Sequence, residues 1–334
     1  MNIRRYLFPL VVALSAFSLA HAGAESPGTS GGFAVVELFT SEGCSSCPPA
    51  DEVLTQVTMA AAKEKLPVYA LEWHVDYWDY LGWRDPFDLH LATDRQYSYA
   101  RTLPSSVYTP QMVINGTIVP EYAGDQREID RTVRALIKSP AAVTLRMQIR
   151  PSESPSSFTV HWDTDGATAG TKLLLLLVED GLGALPTAGE NAGRRLIHSN
   201  VVRSVTVLPA ATGDTRIGVP AGVETARSRL VGILQDQRTM RILAADQAFL
   251  PARGASLSGR VIDGSGRAVA GAMIQACSGE LCVPALTDDS GTFVFNGLAP
   301  GRYSIAADPD VKPLEVTLTT GLPLTLSLPV VVPR

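Results

Sequence analysis

The sequence predicts a multidomain α+β protein, an N-terminal α/β domain followed by β-sandwich domains. Three observations predict it. Apolar strands alternate with amphipathic helices over residues 33–140 and include a β-α-β unit. A β-rich stretch over 141–250 and a turn-punctuated stretch over 255–332 follow, their short strands separated by Gly, Pro and Asp. At 334 residues the chain exceeds one ordinary core, so two or three domains are expected.

Residues 1–22 read as a secretory signal peptide. Arg4 and Arg5 precede a fifteen-residue apolar run, Tyr6 to Ala20, which closes on the small-residue site Ala20-His21-Ala22. That run is too short to span a bilayer comfortably, so no membrane span is expected after cleavage. A twin-arginine signal shares the Arg pair, but the short charged region and strongly apolar core fit the general secretory route better. The protein is therefore expected in the periplasm or secreted. Residues 23–32, GAESPGTSGG, suit a flexible leader. Cleavage removes two of 28 basic residues and none of 33 acidic ones, leaving 26 against 33, about seven net negative charges. With no basic stripe, nucleic acid and anionic lipid surfaces are poor partners, and no nucleic acid is expected.

From Phe33 the run FAVVELF predicts a strand, ADEVLTQVTMAAAKEK a helix and LPVYALEW a second strand. Pro48 and Pro49 fit the first turn of that helix, where amide hydrogens have no internal partner. Cys44 and Cys47 thus fall at its N-terminus. The aromatic, polar segment HVDYWDYLGWRDPFD follows, then a helix in LATDRQYSYARTL that ends before Pro104. Asn115-Gly116 between apolar runs predicts a hairpin turn, which also accounts for the glycosylation-like Asn115-Gly116-Thr117. The last helix of the unit, DQREIDRTVRALIKS, places Ile129, Val133, Leu136 and Ile137 on one face. Leu173 to Val178 is an apolar run of only six residues, which reads as a buried strand.

Four cysteines form two close pairs. In GCSSCPP, Cys44 and Cys47 lie three positions apart at a helix start, where the partial positive charge and free amide hydrogens stabilise a thiolate. Position favours Cys44 as the attacking sulfur. A CxxC beside a β-α-β pattern is a redox signature.

The order strand, helix, strand, helix, hairpin, helix, with CxxC opening the first helix and Thr109-Pro110 before the hairpin strand, resembles the thioredoxin fold. The resemblance implies that Cys44 is the exposed nucleophile and that Cys47 resolves the mixed disulfide. It also implies a cis-proline at Pro110 facing the pair, with the Thr109-Pro110 backbone holding a substrate strand. The stretch between Cys47 and Pro110 is longer than in a minimal thioredoxin, and the aromatic segment supplies the extra length. Glu42, His74, Asp76 and Trp78 are candidate neighbours of the pair, His74 setting local charge and Trp78 stacking on a substrate. GCSSCPPAD, HVDYWDYLGW, TPQMVING and NAGRRLIHSNVVR together resemble a family of exported bacterial thioredoxin-like proteins of uncharacterised function, over about Phe33 to Leu250. The C-terminal stretch resembles the carboxypeptidase regulatory-like domain, a Greek-key sandwich, through Ser258-Gly259-Arg260-Val261, Asp289-Ser290-Gly291 and the run from Gly297 to Tyr303.

Disulfide exchange with the thiols or disulfides of envelope proteins is thus the expected activity, without a cofactor. A structural bridge, a non-catalytic envelope scaffold that retains the fold, and a copper-handling clip using the CxxC with His74, Asp76 or Met112 stay open beside it. No second CxxC or His cluster supports a resident metal, and none is expected. Cys277 and Cys282 fit a structural disulfide across a hairpin of an exported sandwich. His90, His161 and His198 lack partners at ligand spacing and read as surface or turn residues. Motifs of serine hydrolases, zinc proteases, P-loop and dinucleotide enzymes are absent from the sequence.

Overall fold

A computed structural model of the chain describes residues 31–327 apart from 153–156, 221, 251–254, 264, 279–280, 299–300, 307–312 and 319–323. The expected signal peptide, most of the leader and the expected joint at 251–254 lie outside the described residues. In chain order the elements begin with β1 (Ala34–Thr40), α1 (Pro48–Glu64), β2 (Val68–His74), α2 (His90–Thr102), β3 (Gln111–Ile114) and α3 (Gln126–Leu136). Next come β4 (Thr144–Pro151), β5 (Ser157–Asp165), β6 (Thr171–Glu179), β7 (Leu182–Ala184), β8 (Leu196–His198) and β9 (Val201–Pro209). They are followed by β10 (Gly213–Gly218), β11 (Ser228–Asp236) and β12 (Ile242–Phe249). The last part holds β13 (Ala255–Arg260), β14 (Met273–Ser278), β15 (Leu281–Leu286), β16 (Thr292–Leu298), β17 (Gly301–Ala306), β18 (Leu314–Leu318) and β19 (Leu324–Ser327).

One mixed sheet of seven strands, in the order β12-β11-β6-β9-β2-β1-β3, organises the chain up to residue 249. β1 runs parallel to β2 and antiparallel to β3. The strands of 141–250, expected as a separate β-rich domain packed on the first, instead continue its sheet across residue 140. β9 lies parallel beside β2 at Glu72 and Val201, and the Glu72 amide donates to the Asn200 carbonyl at 2.8 Å. Pairing covers an edge of β2 that would otherwise leave its amides and carbonyls unmatched. Of these strands β10, β5 and β4 form a three-stranded sheet and β7 pairs with β8 in a two-stranded one.

Both faces of the large sheet are covered. α2 and the aromatic segment pack on one face with Val35, Phe39, Leu71 and Trp73. On the other, α1 and α3 cover Val36, Leu38 and Ala70. The three-stranded sheet covers Leu173, Leu175 and Leu177 of β6, while Leu174, Leu176 and Val178 join the α2-side core. This two-sided burial explains the unbroken apolar run of β6. Each such side chain contributes about 1.5–3 kcal/mol on leaving water.

Local chemistry places the helices. Pro48 and Pro49 occupy the first turn of α1, whose N-cap is Cys47. Asp125 caps α3 by accepting from the amides of Arg127 and Glu128, and Ile129 and Val133 are buried beneath it. Asn115 and Gly116 take φ values of 48° and 73°, as the predicted turn requires. The second arm of that hairpin shrinks to a single bridge between Ile114 and Ile118. Asn115 instead ties the turn into the sheet: its Oδ1 accepts from the Val35 amide at 2.7 Å, and its carbonyl accepts from the Ile242 amide at 3.1 Å.

The C-terminal part has sandwich-like architecture. Sheets β16-β13-β19 and β15-β14-β17-β18 enclose Leu257, Ile274, Phe293, Tyr303 and Ile305. Cys277 is disulfide-bonded, and its register partner across the β14–β15 ladder is Cys282.

A Cβ at residue 116 would stand 2.0 Å from the Met240 carbonyl oxygen, backbone that cannot swing aside. Gly116→Ala is expected to destabilise the protein by about 3 kcal/mol, from the positive φ and the forced shift together. Denaturant unfolding checks this, and an unchanged midpoint would contradict the tight turn.

Candidate functional site

The site lies where β1 and β2 end beneath the start of α1. Cys44 and Cys47 are joined in a disulfide there, their Cα atoms 5.5 Å apart. Cys44 is only 1% exposed and Cys47 fully buried, whereas Ser45 and Ser46 between them are exposed. The exposed attacker implied by the thioredoxin resemblance is therefore not what this structure holds. The cover is the loop between β7 and β8. Asn191 Nδ2 donates to the carbonyls of Glu42 and Cys44, at 2.8 and 2.9 Å. Glu190 accepts from the Ser45 amide and hydroxyl, at 2.9 and 2.6 Å. Residues 190 and 191 thus clasp the backbone of the CxxC from both sides of Cys44.

The Thr109-Pro110 peptide bond is cis and immediately precedes β3. Trp78 lies between it and the residue before Cys44: its indole N–H donates to Thr109 Oγ1 at 2.8 Å, and its Cβ lies against Gly43, where an added Cβ would come within 2.8 Å. Trp78 also stacks on exposed Tyr80. Asp76, expected near the cysteines, instead faces α2. It accepts from Thr93 Oγ1 at 2.5 Å and pairs with His90 Nδ1 at 2.7 Å. Met112 packs in the core shared with α1 and α3 and His74 pairs with Glu72 and Asp85, so the three candidate copper ligands His74, Asp76 and Met112 each have other neighbours here, and the two sulfurs are bonded to each other.

Glu42 and His74 belong to a buried network of charged side chains. His74 Nδ1 meets Asp85 Oδ2 at 2.7 Å, and its Nε2 meets Glu72 Oε1 at 3.2 Å. His198, read from sequence as a surface residue, is 1% exposed; its Nδ1 lies 2.7 Å from Glu72 Oε1 and its Nε2 3.3 Å from Glu42 Oε1. Trp83 Nε1 donates to Glu42 Oε2 at 2.6 Å, and Asp85 Oδ2 accepts from the Glu42 amide at 2.9 Å. Burial opposes a charge on His74, but Asp85 outweighs it and lifts the ring's pKa up to about 10. Burial is likewise outweighed at His198, where Glu72 and Glu42 hold the ring well above its ordinary value. Burial raises Asp51 on α1, with the charge of Glu72 adding to it, to about 7.

Sequence reading missed Glu72, Asp51, Glu190, Asn191 and the role of His198. A local signal existed for one of them: a lone Glu inside an otherwise apolar central strand has nowhere to go but a buried partner. Glu37 in β1 repeats the pattern on the opposite face, paired with Arg95 at 2.6 Å and hydrogen-bonded by Tyr99.

The chain is thus a multidomain, strand-rich protein with a disulfide-bonded CxxC at the end of a mixed sheet. Residues 35–235 match the family described as protein of unknown function (DUF1223), and the chain belongs to it. Residues 256–330 match the carboxypeptidase regulatory-like domain. No curated protein matches the chain. Among solved structures it is similar to protein AGR_C_4864 from Agrobacterium tumefaciens, at 25% identity and a TM-score of 0.49, over 65% of this chain and 93% of that one. It is also similar in fold to HBP35 of Porphyromonas gingivalis, at 17% identity and a TM-score of 0.53, over 87% of this chain and all of that one.

Asn191→Ala loses both hydrogen bonds to the CxxC backbone, about 1 kcal/mol each, which should speed reduction of Cys44–Cys47 by a phosphine up to about thirtyfold. An unchanged rate would mean that the loop does not guard the disulfide. The Ser45 hydroxyl and amide hold the exposed Glu190 carboxyl below the ordinary range. A depressed pKa means that the contact is intact above the ordinary value and lost as pH falls through the lowered one. Reduction should therefore accelerate at acid pH in the parent protein and not in Glu190→Gln.

Proposed function

We propose that this protein is an exported thiol–disulfide oxidoreductase of thioredoxin-like fold, acting on thiols or disulfides of envelope proteins and opened by release of the 190–191 loop. The observation that carries the reading is the Cys44–Cys47 disulfide at the N-terminus of α1, with Trp78 between the adjoining Gly43 and the cis Thr109-Pro110 bond. The strand order β2-β1-β3, with α1 and α3 on one face and α2 on the other, supports the fold assignment. The apolar N-terminal run supports export, and among the described residues no helix is long and apolar enough to cross a membrane.

In the oxidising direction a client thiolate attacks the Cys44 sulfur, the Cys44–Cys47 bond breaks and Cys47 leaves as thiolate. A second client thiolate then attacks the mixed disulfide, releasing oxidised client and the Cys44 thiolate. The reverse order reduces a client. The start of α1 stabilises the thiolate that forms. Asp51, buried and four residues beyond Cys47 on the same helix face, supplies a carboxyl near neutrality to protonate the departing Cys47 thiolate and, in the reducing direction, to take the proton from the Cys47 thiol. The backbone beside Thr109-Pro110 is where the client strand pairs in this reading.

Burial of Cys44 favours a second reading, a structural bridge in a non-catalytic envelope scaffold. Trapping separates the two. Cys47→Ser should accumulate mixed disulfides with envelope proteins through Cys44, and Cys44→Ser should lose insulin reduction and oxidative refolding. Absence of adducts, together with activities equal in parent and Cys44→Ser, would leave the scaffold.

A further inference from the structure

We propose that Glu72, His74 and His198 form a buried binding site for one divalent transition-metal ion of the zinc class. Three atoms converge there, Glu72 Oε1, His74 Nε2 and His198 Nδ1, all within 4.8 Å of one another on side chains with essentially no exposure. Glu72 and His74 are two apart on β2 and so project from the same face, toward α1. β8 delivers His198 to the same point across the sheet. Two imidazole nitrogens and one carboxylate oxygen are a donor set that suits zinc or a similar borderline ion.

The surroundings are those of a metal centre. Bound imidazoles donate their second N–H to a carboxylate or carbonyl, which fixes ring and tautomer. His74 has that partner in Asp85, on Nδ1 at 2.7 Å. His198 has it in Glu42, with Nε2 and Oε1 3.3 Å apart. Those two atoms are also the clearest defect of the site: both are buried and neither makes a hydrogen bond. A metal on Nδ1 of His198 would keep the proton on Nε2, 3.3 Å from Glu42 Oε1, and a small turn of the ring on coordination would bring the two orphaned atoms into a hydrogen bond. The Ser199 amide donates to Glu72 Oε2 at 3.0 Å and leaves Oε1 turned toward the rings.

Spacing and charge agree. Donors at about 2.1 Å from a tetrahedral ion stand roughly 3.4 Å apart. His74 Nε2 and Glu72 Oε1 are already at 3.2 Å, while the 2.7 Å between His198 Nδ1 and Glu72 Oε1 must widen by about 0.7 Å as a proton gives way to the metal. Carboxyl groups outnumber basic side chains in this buried pocket. Among the described residues no Lys or Arg forms an ion pair with Glu42, Glu72 or Asp85, whose ionic contacts are to the two histidines. A divalent ion takes the place of the two protons that the imidazolium rings give up on binding, so it keeps the positive charge that these carboxylates require.

The test uses the full chain, disulfide intact, produced in zinc- or cobalt-supplemented medium and freed of loose metal by gel filtration. Metal analysis should find one ion per chain, and the cobalt form should show the visible bands of tetrahedral Co2+. His198→Gln and Glu72→Gln should retain no ion, and Glu42→Gln should bind about 10–100-fold more weakly while staying folded. A strong chelator should lower the melting temperature of loaded parent protein and leave that of His198→Gln unchanged. Because the disulfide is not a ligand, the Cys44→Ser, Cys47→Ser double variant should keep the metal whether or not the protein exchanges disulfides. Folded parent protein without bound ion would overturn the site. So would loss of the ion in the double serine variant, which would assign it to the cysteines.

Discussion

Buried carboxylates need partners, and this constraint holds the functional end of the molecule together. Glu42, Glu72 and Asp85 end up buried, where an uncompensated charge costs several kcal/mol. Their partners come from distant parts of the chain. His74 comes from the same strand as Glu72, but His198 is 126 residues away and arrives at the end of β8, which leads directly into β9, the strand that pairs with β2 at Val201. The same strands bring Glu190 and Asn191 over the disulfide. Charge pairing, sheet continuity and the cover of the CxxC are therefore one structural event.

This explains why the large sheet does not stop at residue 140. A minimal unit of β1, α1, β2, α2, β3 and α3 would leave one edge of β2 bare and Glu72 with His74 as its sole ionic partner. The strands of 141–250 pair that edge and bring His198 as a second partner, and the six apolar residues of β6 cover the enlarged sheet on two faces. Glu37, Arg95 and Tyr99 play the matching part on the α2 face, with Gln235 of β11 reaching Arg95 at 3.0 Å. Each face of the central strands thus carries one polar cluster that draws on both parts of the chain.

Much of this was legible in local pattern. The strands around Glu37 and Glu72, the proline-started helix, the turn at Asn115-Gly116 and the capped helix after Asp125 all follow from periodicity and turn chemistry, which act over a few residues. The disulfide partners could be guessed from spacing. Long-range pairing was not legible. Alternation along β9 says which side chains face inward, not that the strand will lie next to β2. His198 looks like a turn residue because its partners are remote, and Asp76 looked like a neighbour of the CxxC because it follows β2 closely, although the chain has by then turned toward α2. The second arm expected after Gly116 stops at the bridge from Ile118 to Ile114, where the turn itself is held by the Ile242 amide on the Asn115 carbonyl and by Met240 against Gly116.

An oxidised, covered CxxC is compatible with exchange only if the bond yields at potentials that envelope thiols reach. The direct test is equilibrium titration of the Cys44–Cys47 couple against glutathione, read by thiol trapping. The account predicts a value in the span of catalytic couples, about −120 to −270 mV. A value below about −300 mV, the range of permanent structural bridges, would contradict it.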